Sequence, residues 1–313
     1  MTQYILKRLM IFLPTLLAVV TGVFLILRAT PGSPAERILG EYASETAIAE
    51  LETRLGLDRP ILVQYGSFLA GYVTGDFGTS LRNRRPVLAE IRRELPYTLQ
   101  LAAAGMFIAV VVGLVMGVLT AVYRNTWIDH VGRVIALLGI SIPVFFSGLL
   151  LIYLFSVHLR WFPSIGAGDP SDPVSVLRSL VLPALAVGSL SAGITMRMTR
   201  SSMLEVMQAD FARTAYAKGV PRRTVVLKHV LRNAALPVVT VIGLSFGSML
   251  GGAVLTETVF GRPGLGKLIV DAIIWKDYPV AQASIFVFAS MFLVVNLFTD
   301  LSYAYLDPRV TYD

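Results

Sequence analysis

Apolar residues in this chain run in long blocks instead of alternating with polar ones. A helix needs about 20 mostly apolar residues to cross the hydrocarbon core of a bilayer. Six stretches meet or approach that length: 9–27, 97–122, 134–157, 179–196, 234–256 and 278–299. The first five hold no charge, and Glu257 stands just past the fifth. Pro14, Pro143, Pro183 and Pro237 fall inside these blocks. Membrane helices tolerate proline because neighbouring groups re-satisfy the freed backbone. The fourth block is short and rich in Ser and Thr, which makes it the weakest span. Residues 60–74 are too few to span and read as an interfacial or packed helix. The block at 9–27 follows Lys7 and Arg8, as a signal peptide would. Its length, and the lack of a clear small-residue cleavage site at Leu27-Arg28-Ala29-Thr30, predict a retained helix.

The polar segments carry their own signals. In 28–95, Ser44 is placed to cap a helix that Gly56 stops, with Ala47, Leu51 and Leu55 on one face. Asp58 and Pro60 form a turn, Gly75-Asp76-Phe77-Gly78 another, and Pro86 opens one more short helix. Between the fourth and fifth blocks, Ser202 to Lys218 reads as one amphipathic helix with Leu204, Met207, Phe211 and Ala215 on one face. Gly219 and Pro221 stop it. A second basic stretch, 222–233, leads to Pro237. The apolar strip calls for a partner, either the membrane surface or another protein.

Composition agrees with lipid as the main solvent. Only 15% of the 313 residues are charged and 55% are hydrophobic, with mean hydropathy +0.69; soluble domains carry about 25% charged residues. Cysteine is absent, which excludes disulfides and thiolate metal sites. The net charge of +7 reflects a cytoplasmic excess of Lys and Arg, not nucleic-acid binding. Loop 197–232 holds Arg197, Arg200, Arg213, Lys218, Arg222, Arg223, Lys228 and Arg232 against Glu205 and Asp210, which puts it and both termini inside. Arg82, Arg84, Arg85, Arg92 and Arg93 then fall outside, in a segment long enough to translocate largely regardless of charge.

Catalytic signals are weak. Gly261 to Lys267 matches G-x-x-x-x-G-K, but Leu268 replaces the magnesium-binding Ser or Thr, and a membrane block precedes it where a strand is needed. His130, His158 and His229 fall in three separate loops. Asp271 and Asp277 form a conceivable hydrolytic pair, with capping and loop solvation as the simpler reading. Gly243, Gly247 and Gly251 share one helix face. They suit either intrachain packing or a pathway-lining, subunit-facing strip; Gly113 and Gly117 read as intrachain packing. Asn296 and Asp300 lie in the inner half of the last block.

Asp210, Arg213-Thr214-Ala215-Tyr216-Ala217-Lys218-Gly219, Arg232-Asn233 and Leu236-Pro237 together resemble the permease subunits of binding-protein-dependent ABC importers, in the peptide and nickel branch. Further matches are Pro31-Gly32-Ser33-Pro34, Gly75-Asp76-Phe77-Gly78, Gly251-Gly252-Ala253-Val254, Glu257-Thr258-Val259-Phe260, Pro263-Gly264-Leu265-Gly266, Asp277-Tyr278-Pro279 and Asp307-Pro308-Arg309. The general importer pattern E-A-A-x3-G-x9-I-x-L-P is not met. Arg213 and Thr214 replace Glu and Ala, and the closing proline stands at Pro237 instead of position 232. The peptide branch shows this longer form.

The resemblance implies an all-α membrane protein with six transmembrane helices and the type I importer permease fold. It also implies three regions: an N-terminal segment and first helix (1–28), a small periplasmic element (29–95), and a core (96–313) with a cytoplasmic coupling loop at 197–233. Asp210, Arg213, Thr214, Ala215, Lys218 and Gly219 would contact a cytoplasmic ATPase. The implied partners are a second, related permease, two ABC ATPases that bind ATP and Mg, a periplasmic substrate-binding protein and membrane lipids, with no nucleic acid and no cofactor in this chain. Dipeptides, longer peptides, glutathione-like tripeptides and nickel complexes all fit the branch, with short peptides preferred. A membrane-embedded hydrolase and a passive channel are the alternative classes.

Overall fold

The computed structural model describes residues 2–40 and 43–306, with side chains for 10–40 and 43–299. In chain order the helices are α1 (Thr2–Ala29), α2 (Pro34–Leu39), α3 (Glu45–Leu55), α4 (Ile61–Thr74), α5 (Val87–Val122), α6 (Trp127–Ser141), α7 (Val144–Leu151), α8 (Pro173–Met207), α9 (Asp210–Ala217), α10 (Arg222–Thr224), α11 (Leu231–Val259), α12 (Leu265–Ile274) and α13 (Tyr278–Leu306). Two π-helical segments, Ile152–His158 and Val225–Val230, continue α7 and join α10 to α11. Among the described residues the only β pairing is an isolated bridge between Thr79 and Pro86. Among the described residues, five helical stretches are long and apolar enough to cross a membrane, and a bent pair makes a sixth if counted as one span.

The block at 134–157 falls in that pair, with Pro143 at the bend. The helices Trp127–Ser141 and Val144–His158 are bent by 112° from one another. Pro143 forces the break: it lacks an N–H, and Ile142 before it is extended at φ −83°, ψ 125°. Other boundaries shift for similar local reasons. Pro86 opens not a short helix but the 36-residue α5, which carries Arg92 and Arg93 in its early turns and Pro96 within it. Residues 222–233 are helical and run on into the fifth span. Ser44 caps α3 through Ala47 N–H (3.3 Å), and Gly56 ends it in the left-handed region.

The chain divides into two compact units, one of residues 98–262 and 294 onward, the other of 2–97 and 263–293. In the first, α8 is the central helix and packs on α6, α7 and α11. Leu180, Ala184, Val187 and Ala192 of α8 meet Leu101 and Ala109 of α5 and Met249 and Ala253 of α11. The Ser- and Thr-rich block judged weakest is therefore the most enclosed span, with 67% of its apolar window buried. Its small polar residues permit close approach. A Cβ added to Gly113 would lie 2.6 Å from Thr195 Cβ, and one on Gly117 would lie 2.5 Å from Thr199 Cβ. With no water to expel between lipid-solvated helices, such small-residue packing is what drives them together.

In the second unit, α1 packs on α4 through aromatic rings. Phe24 is 1% exposed, with ring centroids 5.0 Å from Tyr65 and 5.3 Å from Phe68. Arg28 Nε donates to Gln64 Oε1 at 2.9 Å. The expected packed helix at 60–74 is this α4. Leu27, Val87, Ile91, Leu265, Ile269 and Ala281 form the core of the unit.

Candidate functional site

The basic segment after α8 builds a short, separately oriented helix. The expected single helix from Ser202 to Lys218 is broken at Gln208 and Ala209. Gln208 N–H and Ala209 N–H reach back only three residues, to Glu205 O (3.1 Å) and Val206 O (3.2 Å). Ala209 is extended at φ −67°, ψ 150°, and α9 begins anew with Asp210 in its first turn, where the helix dipole favours a carboxylate.

The break changes which residues are buried. Phe211, expected on the apolar strip, is 44% exposed, and Ala212 is fully buried in its place. Leu204, Met207 and Ala215 keep their inward positions against Ala121, Met203, Val225, Val226 and Val230. The opposite face of α9 presents Asp210, Phe211, Arg213, Thr214, Tyr216, Ala217 and Lys218 to solvent.

The stop at Gly219 is a Schellman cap. Gly219 N–H donates to Tyr216 O at 3.0 Å, and Val220 N–H donates to Ala215 O at 3.2 Å. Gly219 has φ +76°, a conformation a side chain disfavours. Thr214 Oγ1 donates to Asp210 O at 2.8 Å, while Arg213 and Asp210 approach to 4.0 Å, both exposed. Such an exposed pair is worth little. Arg222 Nη2 donates to Val122 O at 3.0 Å and ties the next turn to the end of α5.

One clamp between α6 and α8 was not anticipated. Asp129 of α6 is fully buried and accepts from Arg200 Nε (2.8 Å) and Nη2 (2.9 Å) on α8. Asn125 N–H (3.0 Å) and Arg133 Nε (3.3 Å) complete its shell. Arg200 had counted only as a topology charge. The available signal was that Asp129 is the lone carboxylate in 123–133, a loop otherwise basic.

The glycine strip of α11 splits. Gly243 packs within the chain, since a Cβ there would lie 2.7 Å from Thr299 Cγ2, and Thr299 Oγ1 donates to Gly243 O at 3.2 Å. Gly247 is buried, whereas Gly251 is exposed with nothing within 4 Å of an added Cβ. Glu257, expected just past the span, lies inside α11 and is fully buried, accepting from Thr98 Oγ1 at 2.6 Å. Arg262 is equally buried, and its Nη2 donates to Gln100 Oε1 at 2.6 Å.

The other candidates have structural surroundings. Asp277 is 4% exposed and holds the turn before α5: Ser80 Oγ donates to Oδ2 at 2.5 Å, Leu81 N–H to Oδ1 at 3.0 Å and Arg82 N–H to Oδ2 at 3.3 Å. Asp271 pairs instead with Lys267 Nζ at 2.5 Å, one helical turn away. The Gly261–Lys267 segment follows α11, not a strand, and starts α12. His130 Nδ1 lies 2.6 Å from Arg133 Nη2, and no cluster of three metal-ligating side chains occurs among the described residues. Asp307-Pro308-Arg309 and the Asp300 side chain lie outside the described residues.

Residues 109–312 match the family described as binding-protein-dependent transport system inner membrane component, and residues 1–102 match the N-terminal family of the same membrane components. This chain belongs to that family. The dipeptide transport system permease protein of Alkalihalophilus pseudofirmus is 42% identical over the full length of both chains. The glutathione transport system permease proteins of Salmonella choleraesuis and Escherichia coli K12 are 45% and 43% identical, again over the full length of both. Among solved structures, the MetNI methionine ABC transporter in inward-facing conformations matches with TM-score 0.59 and 19% identity, covering 71% of this chain and 98% of that one. An amino acid ABC transporter matches with TM-score 0.52 and 15% identity, covering 71% and 95%.

The expected all-α architecture is thus that of type I ABC importer permeases. The chain is a multi-pass inner-membrane permease subunit of an ATP-driven, binding-protein-dependent importer, and such a system works with ATPase and substrate-binding partners. Neither the hydrolase nor the passive channel is favoured.

Proposed function

We propose that this permease carries short peptides, glutathione-like tripeptides included, inward across the membrane, and that α9 is where ATPase movement reaches it. The carrying observation is the division of α9 into a buried underside at Ala212 and an exposed face with Phe211 and Tyr216, 44% and 38% exposed. A helix anchored beneath and closed at its C-terminus by a Schellman cap transmits force as a rigid body. Its free apolar face suits a groove on a partner. Asp210, Arg213, Thr214 and Lys218 rim that face, while Ala215 and Gly219 keep its shape.

In this reading ATP and Mg sit wholly in two separate cytoplasmic ATPase chains, and both termini of the permease are cytoplasmic. Closure of the ATPases moves α9, and through it the packed bundle shifts between discrete arrangements. A second, related permease completes the membrane part, with Gly251 and the buried Gly247 as candidates for the pathway or subunit-facing strip. A periplasmic binding protein delivers the cargo. The peptide preference rests on the names of the dipeptide and glutathione relatives.

The test is co-purification with the cognate ATPase. Phe211→Glu alters an exposed residue and should leave the fold intact while abolishing the complex and ATP-dependent uptake. If the complex survives and uptake stays ATP-dependent, α9 is not the docking element. Identifying the ligand that co-purifies with the cognate binding protein tests the cargo: a short peptide supports the reading, and a nickel complex overturns it.

A further inference from the structure

A polar cavity in the second unit has the chemistry of a ligand site. Its volume is ≈ 300 Å³, at the lower end of small-molecule pockets. Gln282 lines it and is only 7% exposed, yet its Nε2 makes no hydrogen bond among the described residues. Tyr72, from α4, lines it too, and its buried Oη likewise lacks a partner. Two orphaned polar atoms on one cavity are unusual, because an unmade buried hydrogen bond costs far more than a made one returns. Both groups can donate.

The charges around them narrow the ligand. Arg28 lines the cavity, and its Nε and Nη1 are engaged by Gln64 Oε1 (2.9 Å) and Phe24 O (3.4 Å). That leaves Nη2 without a hydrogen bond among the described residues. Arg59 and Asp76, both exposed, also line it. Asp76 Oδ1 is already engaged by Gly78 N–H at 2.9 Å. Two guanidiniums against one carboxylate favour a monoanion over a polyanion. Arginine and amide donors match a carboxylate, with which arginine forms short, charge-assisted bonds. Phe68 and Phe77 supply apolar wall.

We propose that this cavity binds a small monocarboxylate with an apolar body, held by Arg28, Gln282 and Tyr72. The site shares no residue with α9, so its occupancy is testable apart from ATPase docking.

The experiment uses the full-length chain in phosphatidylcholine nanodiscs, with hydrocinnamate as probe and its neutral amide as control. Hydrocinnamate should raise the melting temperature saturably and bind with Kd of about 1 mM or tighter, while the amide should not. Gln282→Leu should melt at the same temperature or higher without ligand, because it removes an unsatisfied amide. It should bind hydrocinnamate at least about tenfold more weakly. Tyr72→Phe should weaken binding in the same direction. Q282L should still co-purify with the ATPase, which separates this result from the docking one. Loss of the wild-type hydrocinnamate effect on adding phosphatidylserine, but not on adding phosphatidylglycerol, which lacks the carboxylate, would identify a lipid carboxylate as the occupant and support the site. No saturable shift in the wild type, an equal shift with the amide, or equal binding to Q282L would each overturn it.

Discussion

Asp129 has no access to water and depends on Arg200, with Arg133 beside it, for its charge balance. Asp129→Asn keeps its size but removes the counter-charge, which should destabilise the chain by about 3 kcal/mol. Arg200 is 20% exposed, so water recovers part of the loss. The double change Asp129→Leu, Arg200→Met should regain much of that stability, since a buried ion pair is often replaceable by packed apolar groups. Thermal unfolding of the single and double variants checks both statements. A different residue, Asp277, orders residues 80–82 by accepting three hydrogen bonds. Asp277→Ala should leave buried donors unsatisfied at a cost of about 2 kcal/mol and make that turn the first site of limited proteolysis. None of these pairings was legible beforehand. Asp129 and Arg200 are 71 positions apart, and Ser80 and Asp277 are 197 apart.

At the scale of elements, the ends of helices were the readable parts. Ser44 and Gly56 bound α3, and Gly219 ends α9, because capping depends on residues within a few positions. Gly219→Ala should cost about 1 kcal/mol through its left-handed conformation, and uptake should fall more than stability if α9 transmits force. Comparing the melting temperature with uptake in vesicles separates the two. The α5–α8 contact gives a steric prediction. Gly113→Ala would put a methyl 2.6 Å from Thr195 Cβ, and overpacking of this kind costs about 1–3 kcal/mol. A lowered melting temperature checks it. The break at Gln208 was hidden because an amphipathic pattern reports which face is apolar, not whether the helix axis turns.

For the whole molecule, orientation is the outstanding quantity. The chain has no native cysteine, so single cysteines report topology directly. Cysteine at exposed Lys218 should react with a membrane-impermeant maleimide only from the inner side, and cysteine at exposed Arg59 only from the outer side. Labelling of both from the same side would overturn the assignment.

The apolar blocks determined by themselves that the chain lives in lipid and is helical, since hydrocarbon cannot satisfy an open backbone. Charge asymmetry, local caps and the motif around Gly219 marked α9 as the segment to examine. Tertiary structure alone decided that Ala212, not Phe211, is buried, that the third span bends by 112°, that α8 is the central helix of its unit, and that Tyr72 and Gln282 meet at one cavity. The reason is physical. Solvent preference and backbone conformation are properties of a few adjacent residues. Pairing of distant polar groups and close approach of helices depend on the shapes that packing brings together.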